Sequence, residues 1–258
     1  MEGREQVPAD LAVERGPGKE TYYLAIAVAV LALATAIAAM LSGFGTRWGW
    51  WHFRTGFQIL RWSVYSAIAL IVVSGIVVFL TRRGTGRRGL TYAAFALLVM
   101  LLLVGNGLRW TARARNVPPI HDITTDTDNP PRFVAIAPLR ADAPNPVEYG
   151  GPDVAVQQRQ AYPDIRPLVL EGPASAAFEK ALTAARAMGW QIVSVDPDSF
   201  RIEAIDRTFW FGFVDDVVVR LTPVNGRTVL DVRSKSRFGR SDVGTNARRI
   251  REYLDAVR

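Results

Sequence analysis

The sequence predicts a membrane-anchored protein in which three transmembrane α-helices precede a soluble α+β domain. Three stretches without a single charged residue, 22–41, 62–80 and 90–108, predict the membrane anchor. Residues 168–258 predict the domain, because helical and strand periodicities alternate there in the order α-β-β-β-β-α. We therefore expect a four-stranded antiparallel sheet with its helices on one face.

Each uncharged stretch is long enough to cross a bilayer. A hydrocarbon core about 30 Å thick needs about 20 apolar residues, because each residue of a helix adds about 1.5 Å. Residues 1–21 mix charge, Gly and Pro without periodicity, which predicts a disordered tail. The predicted order is a tail at 1–21, an anchor at 22–108, a connecting segment at 109–167 and the domain.

The short loop between the second and third spans predicts the orientation. "TRRGTGRRG" (81–89) places four arginines in one turn, and arginine next to a span is retained in the cytoplasm. We expect a multi-pass protein of the cell inner membrane with a cytoplasmic N-terminus and a periplasmic C-terminal domain. Arg47, Arg54 and Arg61 count against this orientation, as do Arg109, Arg113 and Arg115. "RWGWWHF" (47–53) is typical of an aromatic belt at the membrane interface, and His52 belongs to it.

The charge distribution argues against nucleic acid as a partner. The first 116 residues carry 13 of the 31 Lys and Arg but 5 of the 24 Asp and Glu, whereas the rest has a net charge of −1. A nucleic-acid-binding domain carries its excess positive charge on the folded part. The absence of cysteine excludes disulfides and thiolate metal sites. We expect no metal and no cofactor, since His121 is the domain's one histidine.

The connecting segment is rich in proline, which predicts extended backbone. A long structureless linker is unusual in a compact protein. We therefore expect the segment to lie along the domain and to bury five apolar side chains, those of Ile120, Ile123, Phe133, Tyr162 and Ile165.

The domain elements are read in order from local signals. Pro173 and Gly189 bound a helix with an apolar stripe. The dipeptide "NG" at 225–226 predicts a tight hairpin, and residues 243–257 predict the last helix. Four strands are expected between the helices, at 190–196, 200–206, 207–224 and 227–238.

Six motifs in this order carry a family resemblance. They are "HDITTD", "YPDI", "MGWQIV", "DDVVVR", "DVRSKSRFG" and "SDVGTNARRIR". Together they resemble the bacterial and plastid family known as domain of unknown function 1499, over about residues 117–258. The resemblance implies an α+β domain without an established activity, in a family whose members are often secreted or membrane-anchored.

The predicted hairpin of the last two strands is unusually polar. Alternation places Asp215, Ser234 and Ser236 toward the helices and a second set on the opposite face. One interpretation is structural: ion pairs on an exposed sheet face, a buried polar network between helix and sheet, and a cap on the last helix. Its residues are Asp215, Asp216, Arg220, Asp231, Ser234, Ser236 and Asp242.

The other interpretation is an anion-binding site at the N-terminus of the last helix. Backbone N–H groups and the helix dipole favour negative charge there, and arginines add charge-assisted hydrogen bonds. Possible ligands are envelope phosphates, anionic lipid headgroups or the carboxylates of an envelope protein. The candidate residues are Arg233, Arg237, Ser241, Asn246, Arg248 and Arg249.

An enzyme is the third possibility, without an assigned catalytic residue. An envelope hydrolase would need His121 beside Ser234, Ser236 or Ser241, and no nucleophile-elbow motif is present. Asp215 and Asp216 are adjacent on a strand and therefore point to opposite faces, so they do not form a carboxylate pair. The sequence favours a binding or assembly module of the envelope over a hydrolase.

Overall fold

The computed structural model describes residues 18–82 and 87–258, which divide into two compact units. One unit contains the described residues up to 42 and those of 54–108. The other contains residues 43–53 and 109–258. Residues 1–17 of the predicted tail and residues 83–86 of the arginine-rich turn lie outside the described residues.

Three long helices dominate the N-terminal part: α1 (Gly18–Arg47), α2 (Phe53–Thr81) and α3 (Arg87–Arg115). All three are long and apolar enough to cross a membrane. A helix of 29 residues is about 43 Å long at about 1.5 Å per residue, which exceeds a hydrocarbon core of about 30 Å. Each predicted span lies inside one of these helices.

Most of the side chains through which the helices of the first unit meet are alanines. Large residues such as Leu31, Val72 and Leu102 are exposed on the outside. Small side chains allow helix backbones to approach closely, as membrane helices do. The buried cluster consists of Ala25, Val28, Ala32, Ala67, Val77, Ala93, Ala96 and Met100.

The second unit contains a six-stranded antiparallel sheet, so the predicted α+β class is confirmed. The strands are β1 (Asp122–Thr124), β2 (Leu168–Glu171), β3 (Gln191–Asp196), β4 (Arg201–Arg207), β5 (Val214–Val224) and β6 (Arg227–Ser236). Their order is β1-β6-β5-β4-β3. Both β1 and β2 pair with the outer edge of β6, β1 at 233–235 and β2 at 227–230.

Helices α5 (Ala174–Ala187) and α6 (Thr245–Val257) cover one face of the sheet. Burying the apolar stripes of both helices against the inward positions of β5 and β6 builds the main core. Asn225 and Gly226 both have positive φ, as the two-residue hairpin turn predicted from "NG" requires. The largest core side chains include Phe178, Trp190, Ile202, Leu230, Ile250 and Tyr253.

The proline-rich segment contains structure that the sequence did not predict. Strands β1 and β2 lie within or next to it, because its extended backbone meets the free edge of β6. Helix α4 (Pro152–Ala161) begins with a proline in its first turn, directly after Gly151. The five apolar side chains expected to anchor the segment are all buried.

The third predicted strand begins seven residues later than expected, at Val214 instead of 207. The stretch "TFWFGF" closes into a loop, because Thr208 N–H donates to the Phe213 carbonyl at 2.9 Å and Gly212 N–H to the Thr208 carbonyl at 3.0 Å. Gly212 has a positive φ, a conformation that favours glycine. The aromatic residues of this stretch alternate with the period of two that is typical of a strand, which is why a strand was predicted here.

The second face of the sheet is covered by residues 126–149, which include a 3₁₀ helix at Ala137–Arg140. Phe133 and Ile136 pack there against Ile205 and Val218. The buried carboxylate of Glu203 accepts the backbone N–H groups of residues 134, 135 and 136 at 2.9, 3.0 and 2.8 Å. Strands β5 and β6 are therefore covered on both faces over most of their length, whereas residues 222–224 at the end of β5 are exposed.

Candidate functional site

The polar side chains of β5 and β6 are divided between the two faces of the sheet by strand alternation. Asp215 pairs with Ser236 on the side of α6, whereas Asp216 pairs with Lys235 on the side of residues 126–149. All four residues are buried. The expectation of an exposed charged face is therefore wrong, because residues 126–149 cover it.

On the α6 side, Arg249 is the centre of a buried cluster. Its Nε donates to Asp206 and its Nη2 to Asp215, both at 2.7 Å, while Nη1 donates to Ser234 Oγ at 3.0 Å. Burial disfavours the charged guanidinium, but Asp215 and Asp206 outweigh it and raise the pKa of Arg249. The cation is already neutralised by the protein itself.

Asn246 completes this cluster by bridging β6 and the proline-rich segment. Its amide nitrogen donates to Ser236 Oγ and to the His121 carbonyl, both at 3.0 Å. Its amide oxygen accepts the Ser234 hydroxyl at 2.7 Å. Since these polar atoms satisfy one another, the cluster fixes α6 to the sheet.

On the opposite face, Asp122 of β1 is the counter-ion of two buried cations. Its carboxylate accepts Arg233 Nε and Nη2, both at 2.9 Å, and Lys235 Nζ at 2.9 Å. Burial lowers the pKa of Lys235, while Asp122 acts in the other direction. Arg233 also lies over the Phe133 ring, at 4.9 Å from its centroid. The sequence singled out neither Asp122 nor Lys235 as part of this network.

Two further ion-pair groups occupy the same face. Asp216 accepts Arg140 Nη1 at 3.0 Å and Arg237 Nη2 at 2.8 Å. Arg220 Nη2 donates to Asp231 at 2.8 Å and to Asp126 at 3.1 Å. In both groups, one partner comes from the proline-rich segment.

The arginines proposed to converge on an anion are not brought together. Arg233 and Arg237 lie on one face of the sheet, Arg249 on the other, and Arg248 is half-exposed, with its Nε 3.7 Å from Glu252. The expected convergence is wrong because Arg233 in β6, and Arg237 directly after it, point away from α6. Anion binding by these residues stays a prediction without a common site.

The N-terminus of α6 is already occupied by a carboxylate of the chain. Asp242 accepts the N–H groups of Gly244 at 2.8 Å and Asn246 at 2.7 Å. Burial raises the pKa of Asp242, and these two hydrogen bonds oppose the shift. Ser241 Oγ accepts the Val243 N–H at 3.2 Å. The N–H group of Asn246, in the first turn of α6, is therefore already paired with a carboxylate of the chain.

The His121 ring lies near a carbonyl group. Its Nδ1 is 3.4 Å from the Arg240 carbonyl oxygen, and burial lowers its pKa. The hydroxyl groups of Ser234 and Ser236 both bond to Asn246. Within residues 18–82 and 87–258, no three His, Asp or Glu side chains form a group that could hold a metal.

A cleft of about 310 Å³ opens beside β4 and β5, on the face that residues 126–149 cover. Arg201 and Arg220 are direct cross-strand partners there. Like charges directly opposite destabilise a sheet unless acids compensate them. Asp196 contacts Arg201 at 2.8 Å, and Asp126 and Asp231 contact Arg220. The cleft is lined by Asn129, Pro130, Pro131, Arg132, Val134, Ser199, Arg201, Val218 and Arg220.

Donor atoms of this arginine cleft are not all satisfied. The Nε atoms of Arg201 and Arg220 are buried without a hydrogen-bond partner in the described part of the chain. Arg201 Nε lies 3.2 Å from Glu203, outside hydrogen-bond geometry. Arg132 is exposed at the rim. The sequence did not indicate this cleft, because its arginines come from three separate parts of the chain.

Helices of membrane-spanning length joined to an antiparallel domain with buried ion pairs define a class, that of membrane-anchored α+β domain proteins. The family model described as "Protein of unknown function (DUF1499)" matches residues 122–257. This is more than half of the chain, and the chain belongs to the DUF1499 family. None of the curated proteins matches it.

Proposed function

We propose that this protein is a multi-pass protein of the cell inner membrane whose periplasmic domain binds an anionic ligand in the arginine cleft. The arginine-rich turn at 81–89 supports a cytoplasmic N-terminus, because the positive-inside rule retains such a turn in the cytoplasm. With three spans, the C-terminal domain then lies on the periplasmic side.

The observation that carries the binding role is the composition of the cleft lining. Arg132, Arg201 and Arg220 face it, and its described lining contains no carboxylate. A guanidinium group forms planar, charge-assisted hydrogen bonds with phosphate or carboxylate oxygens. Asn129 adds a side-chain amide donor beside them.

The ion pairs behind the cleft determine how strongly we expect it to bind an anion. Asp126, Asp196, Glu203 and Asp231 each contact one of the two strand arginines, which reduces the net positive charge that a ligand meets. Arg132 is therefore the main source of uncompensated charge. We expect weak binding that depends strongly on salt, because exposed charges are screened.

The binding role is tested with the full-length protein in a nonionic detergent, titrated with inorganic phosphate in a calorimeter. Arg132→Gln removes charge-assisted hydrogen bonds of about 1.5 kcal/mol or more, which is a loss of about tenfold in affinity. Arg227→Gln is the matched control, since Arg227 is an exposed arginine paired with Glu171 at the hairpin end. Glycerol 1-phosphate in a parallel titration distinguishes a lipid headgroup from free phosphate.

The salt dependence of binding and the comparison of the two variants together decide whether the cleft binds an anion. Raising the salt from about 0.01 M to about 1 M shortens the Debye length from about 30 Å to about 3 Å and should abolish binding. Equal affinities of the Arg132 and Arg227 variants would reject the cleft as the site. An absence of phosphate and glycerol-phosphate binding at low salt would reject the anionic ligand.

The location is tested separately from the binding. A reporter that is active only in the periplasm is fused after Arg258, and we expect activity. A silent but well-expressed fusion would reverse the orientation without affecting the cleft.

The hydrolase alternative makes a different prediction for His121. Replacing His121 by Ala would abolish the cellular function of a hydrolase, whereas a binding module would keep it. Arg233 is not a suitable comparison, because its loss would unpair Asp122 in the interior. Arg132→Gln takes its place: loss of function in this variant, with function retained in His121→Ala, favours binding.

A further inference from the structure

The loop Thr208–Phe213 of the α+β domain exposes an aromatic side chain. The Phe209 side chain is 78% exposed, although strands β4 and β5 on either side of the loop are largely buried. Exposed aromatic clusters mark interaction surfaces when they are contiguous, whereas single exposed apolar residues are normal.

Phe209 continues into a cluster from residues 43–53, which belong to the same compact unit. Its ring meets Phe44 edge to face, with centroids 5.5 Å apart, and Phe44 stacks on Trp48 at 5.5 Å. Trp48 is in turn 4.9 Å from Trp50. The side chains of Trp48 and Trp50 are 56% and 60% exposed. The result is one aromatic surface formed by Phe44, Trp48, Trp50 and Phe209, in which Phe44 is half-buried and the other three side chains are exposed.

The loop is fixed to residues 43–53 by polar contacts and close packing. Arg47 Nη1 donates to the carbonyl groups of Thr208 at 2.8 Å and Phe209 at 3.0 Å. A Cβ atom at Gly43 would overlap with the Trp210 ring, so the indole sits directly on a glycine. Phe213 contacts Phe53 at a centroid distance of 5.9 Å. The position of the loop is therefore determined by residues 43–53.

Chain connectivity sets the level of residues 43–53 relative to a bilayer. They join α1 to α2, and both of these helices are long and apolar enough to cross a membrane. A short connection between two spans lies at the membrane interface, where Trp rings are preferred at the headgroup level. Residues that contact this connection therefore lie at the same depth relative to the bilayer.

We propose that the loop Thr208–Phe213 inserts its Phe209 side chain into the headgroup region of the bilayer that the chain itself spans. The partner of the aromatic surface is the lipid headgroup zone. The contact gives the domain a second attachment to the membrane, besides its covalent connection through α3. This attachment does not depend on ligand binding in the arginine cleft.

The test uses the absence of cysteine from the sequence. Phe209→Cys and Val224→Cys in the full-length protein each provide a single site for a fluorescent label. Val224 is 44% exposed and is the last residue of β5, at the end of the strand that is remote from the loop. Both proteins are reconstituted into phosphatidylcholine–phosphatidylglycerol vesicles with or without a lipid that carries a nitroxide quencher near its headgroup.

We expect the lipid quencher to quench the label at position 209 several-fold more than the label at 224, and aqueous iodide to show the reverse preference. Trp48→Cys serves as the reference for the interface and should match position 209. Equal accessibility of 209 and 224 to iodide, without quenching by lipid, would overturn the proposal. Equal lipid quenching at both positions would also overturn it, because the contact would then not be specific to the loop.

Discussion

Replacing the carboxylate of Asp122 is the strongest single test of the buried ion-pair network. Asp122→Asn keeps the size of the side chain and removes its charge. The side chains of Asp122, Arg233 and Lys235 are 2%, 3% and 2% exposed, so water does not replace the lost counter-ion. Two cations would remain in the interior beside a neutral amide.

The magnitude follows from the contacts that are lost. Removing one partner of a buried ion pair costs about 3–5 kcal/mol, because the remaining charge is left without compensation. Arg233 keeps the carbonyl groups of Pro131 and Val147, and Lys235 keeps that of Glu148. These acceptors remain in the variant, so we expect a loss of about 3 kcal/mol, at the lower end of the range.

The pH dependence separates this explanation from a packing defect. Lys235 can release its proton, because a buried lysine shifts its pKa readily. Burial lowers the pKa of Lys235, and removing Asp122 lowers it further because the opposing attraction is lost. Between this folded-state pKa and the unfolded value of about 10.4, the unfolded chain binds more protons, so stability rises with pH. The deficit of the variant should therefore shrink as the pH rises from the folded-state pKa of Lys235 toward the unfolded value of about 10.4.

The assay is urea unfolding of the full-length protein in detergent, read by pulse proteolysis of the α+β domain. Asp128→Asn is the control, since its carboxylate is 92% exposed and 3.4 Å from Arg159, and we expect a loss of about 0–1 kcal/mol. Equal midpoints for the two variants at neutral pH would refute the reasoning. A large deficit that does not change with pH would point to packing instead of charge.

Three other perturbations can be measured in the same unfolding assay. Asp242→Ala removes the acceptor at the N-terminus of α6 and should cost about 1 kcal/mol; an unchanged midpoint would mean that water replaces it. Arg249→Met leaves Asp215 buried without its partner and should cost about 3–5 kcal/mol, which a second change, Asp215→Asn, should partly restore; no restoration would contradict the pairing. His121 has a lowered pKa in the folded protein, so its contribution to the free energy of unfolding is present above its unfolded pKa of about 6.5 and is lost as the pH falls through its folded pKa. His121→Asn should flatten this part of the stability–pH curve, and an unaltered curve would contradict the assignment.

The fold was predictable wherever its signals are local. The uncharged spans, the "NG" hairpin and the helix before Gly189 each depend on residues within a few positions of one another. Strands β1 and β2 were not predictable, because they are short and their partner, β6, is far away in the sequence. The loop Thr208–Phe213 was misread because its aromatic alternation is that of a strand, while the contact that fixes it comes from Arg47.

The sequence predicted on which face of the sheet a polar residue of the network lies, but not the residue with which it pairs. Strand alternation assigns Asp215 and Asp216 to opposite sides of the sheet, and the structure agrees. It contains no information about Asp122, which pairs with Arg233 across 111 residues of sequence. The basic run after residue 232 resembled an anion site for the same reason, since the acids that neutralise it are contributed by distant elements.

The network on both faces of β5 and β6 explains how the hairpin selects one register. A slip of β6 by one residue would turn every β6 side chain to the other face. Arg233 and Lys235 would then face Arg249, and Asp122 would lose both cations. Buried ion pairs add little net stability but are costly to break, so they penalise the wrong register strongly. A charge used in this way is not available to a ligand. A functional site is therefore to be sought where arginine or aromatic side chains remain at the surface, at Arg132 and at Phe209.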